Sequence, residues 1–112
     1  MMIEIGIGEF IDRMSILEIK MENGLDVQKE YTQYTDKDIC HEDGFGEYLS
    51  VMTAINETLW NLEDKKRKGV ERYSDTESDV AFLITQLNDL RHETKKRIDV
   101  FFSSNITERK SH

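Results

Sequence analysis

The sequence has no proline, a single cysteine and no long apolar run. Without proline, nothing interrupts long helices. A lone cysteine, Cys40, excludes a disulfide within the chain and is typical of a reducing compartment. No apolar segment approaches the roughly 18 residues needed to cross a bilayer, and no basic leader precedes an apolar block at the N-terminus. These absences predict a helical, cytoplasmic protein that makes no membrane contact.

Charged residues are abundant and unevenly distributed. They make up 34% of the 112 residues, and the formal net charge is −8. Residues 1–64 carry a net charge of −11, whereas residues 65–112 carry +3. The length allows one domain with a modest core. The acidic excess argues against binding to a nucleic-acid backbone, and the opposite charges of the two halves favour their packing together. We therefore predict a single helical domain over 1–112 and no nucleic-acid partner.

The most apolar stretch predicts a helix over about 7–22. Gly6 can cap its start, with Glu9 reaching back as in a capping box, and Asn23-Gly24 is a typical helix end. The apolar residues occupy more than one side of this helix: Ile7, Phe10, Ile11, Met14, Ile16, Leu17, Ile19 and Met21. Because so wide a band needs more than one neighbour, we expect either the 25–44 segment or a second protein chain to cover it, and we favour a second chain.

Two further apolar seams predict an antiparallel helical hairpin, over about 45–68 and 75–102. Gly69 would end its first helix, and Ser74 would cap the second. The first seam is Phe45, Tyr48, Met52, Ile55, Leu59 and Leu62. The second is Val80, Leu83, Leu87, Leu90, Thr94, Ile98 and Phe101. One register pairs them in six layers, including Leu62 with Leu83 and Ile55 with Leu90. The fold class is thus all-α: three helices, with the N-terminal helix packed across the hairpin, an irregular or short-helix connection at 25–44, and a polar tail at 103–112.

Polar residues beside these seams form the candidate site. They lie on all three predicted helices: Glu9, Asp12, Glu18, Asn56, Glu57, Trp60, Asn88, Arg91 and Lys95. One interpretation is a network of ion pairs and hydrogen bonds that fixes helix register. The other is a semi-buried polar site for a ligand that includes Trp60, although a tryptophan in such a position is more often a core anchor.

Metal and catalytic motifs are incomplete in this sequence. Glu9 and Asp12, three residues apart, resemble one carboxylate pair of helical magnesium-dependent nucleotide pyrophosphohydrolases, but residues 57–64 do not supply a matching second pair. The run Cys40-His41-Glu42-Asp43 lies in one segment that we expect to be an exposed loop. No nucleophile–base signature, phosphate-binding glycine loop or zinc spacing is present. We predict no metal and no cofactor, and favour a non-catalytic role over an enzyme.

Four segments resemble a family of small, uncharacterised all-helical proteins of bacteria and their phages: GEFIDRMSILEIK (8–20), NETLWNLED (56–64), NDLRHETKKRID (88–99) and ERKSH (108–112). The resemblance implies that the nine polar positions of the candidate site belong to a shared pattern. It implies no activity. This chain departs from the family pattern at two positions. It has His112 where the pattern has a tyrosine, and Gly6 where the pattern has a serine that caps the helix.

These observations favour one function and leave one alternative. The favoured function is a small protein-binding or assembly module that forms a homo-oligomer through its N-terminal helix. The alternative is a ligand-binding protein or magnesium-dependent enzyme acting on a nucleotide or sugar nucleotide through the polar patch.

Overall fold

The computed structural model describes the backbone of residues 5–68 and 75–110, and the side chains of 5–68 and 78–103. These described residues form four α-helices and one short 3-10 helix, in the order α1 Ile7–Glu22, α2 Gln28–Thr35, the 3-10 helix Asp38–His41, α3 Phe45–Arg67 and α4 Asp75–Lys110. The predicted all-α class is confirmed. The predicted helix signals Gly69 and Ser74, and the departure at His112, lie outside the described residues.

Helix α1 begins without the predicted capping box. Gly6 is its N-cap and supplies no side chain, while Glu9 binds Lys95 and Arg13 instead of turning back to the cap. The cap comes from far along the chain: the N–H of Gly8 donates to Asp99 Oδ1 at 2.7 Å. A carboxylate at the positive end of the helix dipole stabilises the first turn. The start of α1 is therefore fixed by α4.

The predicted end of α1 is confirmed. The N–H of Leu25 donates to the carbonyl of Lys20, and that of Gly24 to the carbonyl of Met21, which is a Schellman motif. Gly24 adopts the left-handed conformation that this motif requires, with φ of 81°. The side chain of Asn23 adds a hydrogen bond to the Ile19 carbonyl at 2.8 Å.

The connection between α1 and α3 is more ordered and more buried than its composition predicts. Ile39, in the 3-10 helix, is completely buried, so the prediction of an exposed loop here is wrong. It joins Phe10 and Phe45 in the larger core cluster, against which Tyr31 and Tyr34 pack. One apolar residue in an acidic, glycine-containing run thus anchors the whole segment.

The hairpin of α3 and α4 is present, but the seam of α4 differs from the predicted one. Ile84 and Phe102 are buried, whereas Leu83 and Leu90 are about half exposed, so the layers pairing Leu83 and Leu90 with α3 are wrong. Two clusters join the helices: Ile55, Leu59, Val80 and Ile84 near the connection, and Met52, Ile98 and Phe102 further along. Helix α4 continues to Lys110, so residues 103–110, predicted to be part of a polar tail, are helical.

Helix α1 is the central element of the fold. It contacts α2, α3 and α4, and its apolar residues Phe10, Ile11, Met14, Leu17 and Ile19 are buried within the chain. The width of its apolar surface is therefore accounted for by three neighbouring helices. The reason for expecting a second chain on α1 is removed.

Candidate functional site

A buried polar network connects α1 to α3. The side-chain amide of Asn56 donates to Asp12 Oδ1 and to Ser15 Oγ, both at 2.7 Å. The hydroxyl of Ser15 donates in turn to the Asp12 carbonyl at 2.7 Å. All three residues are almost inaccessible to solvent. Buried polar groups are tolerated where hydrogen bonds replace those made to water, and this network meets that condition.

Lys95 extends the network to α4. Its ammonium forms an ion pair with Glu9 and lies 3.6 Å from Asp12 Oδ2, while Arg13 reaches Glu9 at 3.0 Å. Two acids and two bases thus neutralise one another at the junction of α1 and α4. The arrangement holds helices together and leaves neither acid free to receive a metal ion or a substrate proton.

The hydrogen bond from Lys95 is the main reason that the pKa of Glu9 lies below its ordinary value of 4.5; burial opposes this effect, and Arg13 adds to it. A carboxyl group whose pKa is lower in the folded state than in the unfolded state stabilises the fold at any pH above its unfolded pKa. This stabilisation is lost as the pH falls through the pKa of the folded state.

We therefore expect the Glu9→Gln variant to be less stable than the parent at neutral pH, with the difference in Tm shrinking as the pH falls below 4.5. Thermal unfolding followed by circular dichroism over this range measures the effect. The control is Glu22→Gln, which removes an exposed acid from the same helix. A difference between Glu9→Gln and the parent that is equal at acidic and neutral pH would contradict the assigned ion pair.

Glu18 belongs to the opposite flank of α1. It accepts a hydrogen bond from the Tyr31 hydroxyl at 2.7 Å and lies 3.5 Å from the Thr53 hydroxyl, which donates to the Leu49 carbonyl at 2.7 Å. Burial, reinforced by the Glu18 carboxylate, raises the pKa of Tyr31 to about 12. Glu57 is exposed and lines, with Glu18, a shallow depression beside α3. The contacts of Glu18 with Tyr31 and Thr53 hold α2 and α3 against α1.

Trp60 and Arg91 lie on a different surface, at an open cleft between α1, α3 and α4. The cleft has a volume of about 390 Å³. We call it the Arg91 cleft, and it is lined by Ile16, Ile19, Asn56, Leu59, Trp60, Glu63, Arg67 and Arg91. Within the described part of the chain, the buried Nε of Arg91 has no hydrogen-bond acceptor. Asn88, one helical turn before Arg91 (i, i+3), is half-buried.

The predicted site therefore separates into three groups. Glu9, Asp12, Asn56 and Lys95 converge on one closed network, Trp60 and Arg91 meet Asn56 at the cleft, and Glu18 and Glu57 lie on the other side of α1. Ser15 and Thr53 also contribute to these groups and were not among the predicted site residues. Ser15 could have been found, since it follows Asp12 by three residues and so shares its helical face.

Metal-ligating residues do not cluster in the described part of the chain: no three of its His, Cys, Asp and Glu side chains come close enough to hold an ion. The Cys40 thiol is half-buried and donates a hydrogen bond to the Tyr34 carbonyl at 3.3 Å. Burial raises its pKa. A protonated, shielded thiol is a weak nucleophile and a poor ligand.

Two further findings concern membrane-spanning helices and similarity to known proteins. Over residues 5–68 and 75–110, no helix is both long enough and apolar enough to cross a membrane. Comparison with protein-family models, curated proteins and solved structures finds no match to this chain.

Proposed function

We propose that this protein is a small assembly module that self-associates through the outer face of its hairpin. This hairpin outer face is the side of α3 and α4 that points away from α1. Among the described residues, five large apolar side chains are exposed on these two helices: Val51 (48%), Phe82 (62%), Leu83 (47%), Leu90 (50%) and Val100 (67%). An exposed apolar patch on a soluble domain is typical of a protein contact. This exposure is the observation that carries the proposal.

The direction of this face follows from the contacts with α1. Lys95 reaches α1 from α4, and Asn56 reaches it from α3. At roughly 100° per residue, Leu90 lies about 140° from Lys95 around α4, and Val51 about 140° from Asn56 around α3. Leu83 precedes Leu90 by seven residues and shares its side. The exposed residues of both helices therefore face away from α1.

A second copy of the chain is the partner that fits this face. Two hairpins that meet through such faces form a four-helix layer, with an α1 on each outside, which is a common way to bury apolar seams. The rim carries both signs of charge, with Lys65 and Asp79 near the connection, and Glu47 and Arg97 at the other end. Because each chain has a net charge of −8, added salt should strengthen the contact.

The test is the molar mass in solution, measured by size-exclusion chromatography with light scattering across a range of concentrations. We expect the mass to rise from that of one 13.2 kDa chain to that of two. Leu83→Glu and Leu90→Glu should each weaken association at least about tenfold, because each places a charge in a dry interface. The matched control is Leu25→Glu, at a site of equal exposure (48%) in the α1–α2 connection.

Two outcomes would overturn the proposal. One is a monomer at every concentration and salt level. The other is a dimer that persists in both leucine variants, or that Leu25→Glu disrupts equally, since the contact would then involve another surface.

A further inference from the structure

The Arg91 cleft lies on the α1 side of the hairpin, away from the hairpin outer face. Its apolar walls come from two helices: Ile16 and Ile19 from α1, and Leu59 and Trp60 from α3. A volume of about 390 Å³ lies at the small end of the range for ligand sites, roughly 300–1,000 Å³. It can hold a molecule with one ring.

Arg91 has a hydrogen-bond donor without an acceptor at this cleft. Among the described residues its Nε is buried and has no acceptor. Asp12 is held by Asn56 and Lys95, and Glu63, which lines the same cleft, makes no hydrogen bond to the Arg91 Nε. A buried guanidinium N–H without an acceptor is unfavourable; because the Nε is inaccessible to solvent, an anion in the cleft removes that cost once the Arg91 side chain shifts toward it. The cleft thus combines an apolar wall with a cation that needs a partner.

We propose that the Arg91 cleft binds a small aromatic anion, a carboxylate or a phosphate, with its ring against Trp60 and its acid group on Arg91. The planar guanidinium matches both acid groups through paired hydrogen bonds. The remaining charged side chains of the cleft are Arg67, about 70% exposed, and Glu63, which is exposed. Their opposite charges offset one another, so the cleft favours a small anion with few charges over a polyanion.

Trp60 is the only tryptophan of the chain and lines the cleft, so its fluorescence reports on this site directly. The experiment titrates the full-length protein with phenylacetate, phenyl phosphate and the neutral analogue benzyl alcohol. We expect saturable changes with one or both anions and a response to benzyl alcohol that is at least tenfold weaker. The relative affinities of the two anions distinguish a carboxylate site from a phosphate site.

Replacing Arg91 tests whether its positive charge binds the anion. Arg91→Gln should weaken anion binding at least tenfold while leaving the response to benzyl alcohol unchanged. The matched control is Arg97→Gln, which removes an arginine that is 76% exposed from the same helix and should not alter binding. Arg91 lies away from the hairpin outer face, so the molar mass of Arg91→Gln should stay as in the parent.

The proposal is overturned if neither anion gives a saturable change, if benzyl alcohol binds as tightly as the anions, or if Arg91→Gln binds them as the parent does. The comparison of the three probes uses the unmodified protein, so it decides the question even if Arg91→Gln fails to fold. A monomeric protein that binds the anions would refute the assembly proposal alone.

Discussion

Replacing Gly8 with alanine is expected to destabilise the fold by about 3 kcal/mol, the upper part of the range for overpacking a close contact. An added Cβ would lie 2.9 Å from both the Cα and the carbonyl carbon of Lys95, and closer still to its carbonyl oxygen. Backbone atoms cannot rotate away as a side chain can, so α1 and α4 must separate. That separation also stretches the hydrogen bond from Gly8 to Asp99 and the ion pairs of Lys95.

The matched control is Gly46→Ala in the first turn of α3, where an added Cβ meets nothing within 4 Å. Alanine is favoured over glycine in a helix by about 1 kcal/mol, so this variant should be as stable as the parent or more so. Urea unfolding of the parent and both variants measures the two effects. A Gly8→Ala variant that gains stability would show that α1 and α4 do not pack this closely.

Local sequence patterns predicted the helices well. The apolar spacing over 7–22 and 45–68 matches α1 and α3 within one residue, and Asn23-Gly24 marked the end of α1. Such signals are visible because they depend on residues within a turn or two of one another. The converging polar residues Glu9, Asp12, Asn56 and Lys95 were also identified, since they stand beside apolar seams on helices that must pack together.

The error in the α4 seam has a physical explanation. The predicted seam contains Leu83 and Leu90, whereas Ile84 and Arg91, the next residues in the sequence, are the ones turned inward. A seam with alternating steps of three and four residues can include either residue of each pair. Hydrophobicity favours Leu90 over Arg91. The observed rotation of α4 about its own axis turns Arg91 and Lys95 toward α1, where Lys95 contacts Glu9 and Asp12. The same rotation leaves both leucines on the outer side. Only the position of α1 decides between these two rotations of α4.

Contacts between distant residues account for the other differences. The cap on α1 comes from Asp99, which is 91 residues away from Gly8, and no local pattern indicates it. Gly6 could therefore replace a side-chain cap without leaving the helix end unsatisfied. Ile39 was likewise hidden among acids and glycines, and its burial depends on the space between α1, α2 and α3. Periodicity over a few turns contains no information of this kind.

Replacing Asn56 with leucine is expected to lower stability by about 3 kcal/mol, because the charged carboxylate of Asp12 would lose its amide donor in a buried site. Ser15 would lose its donor from the same amide. Lys95, 3.6 Å from Asp12, compensates in part. Thermal and urea unfolding measure the loss. Asn61→Leu, an exposed change on the same helix, should stay within about 0.5 kcal/mol of the parent.

A double-mutant cycle separates the network from simple packing. If the loss in Asn56→Leu comes from an unsatisfied carboxylate, adding Asp12→Leu should cost less in that background than in the parent, because the group that needs the amide is then absent. If the two substitutions instead add independently, Asp12 and Asn56 are not coupled. The cycle thus asks whether α1 and α3 are held by this hydrogen bond itself or only by the apolar residues around it, whose burial both leucine variants would retain.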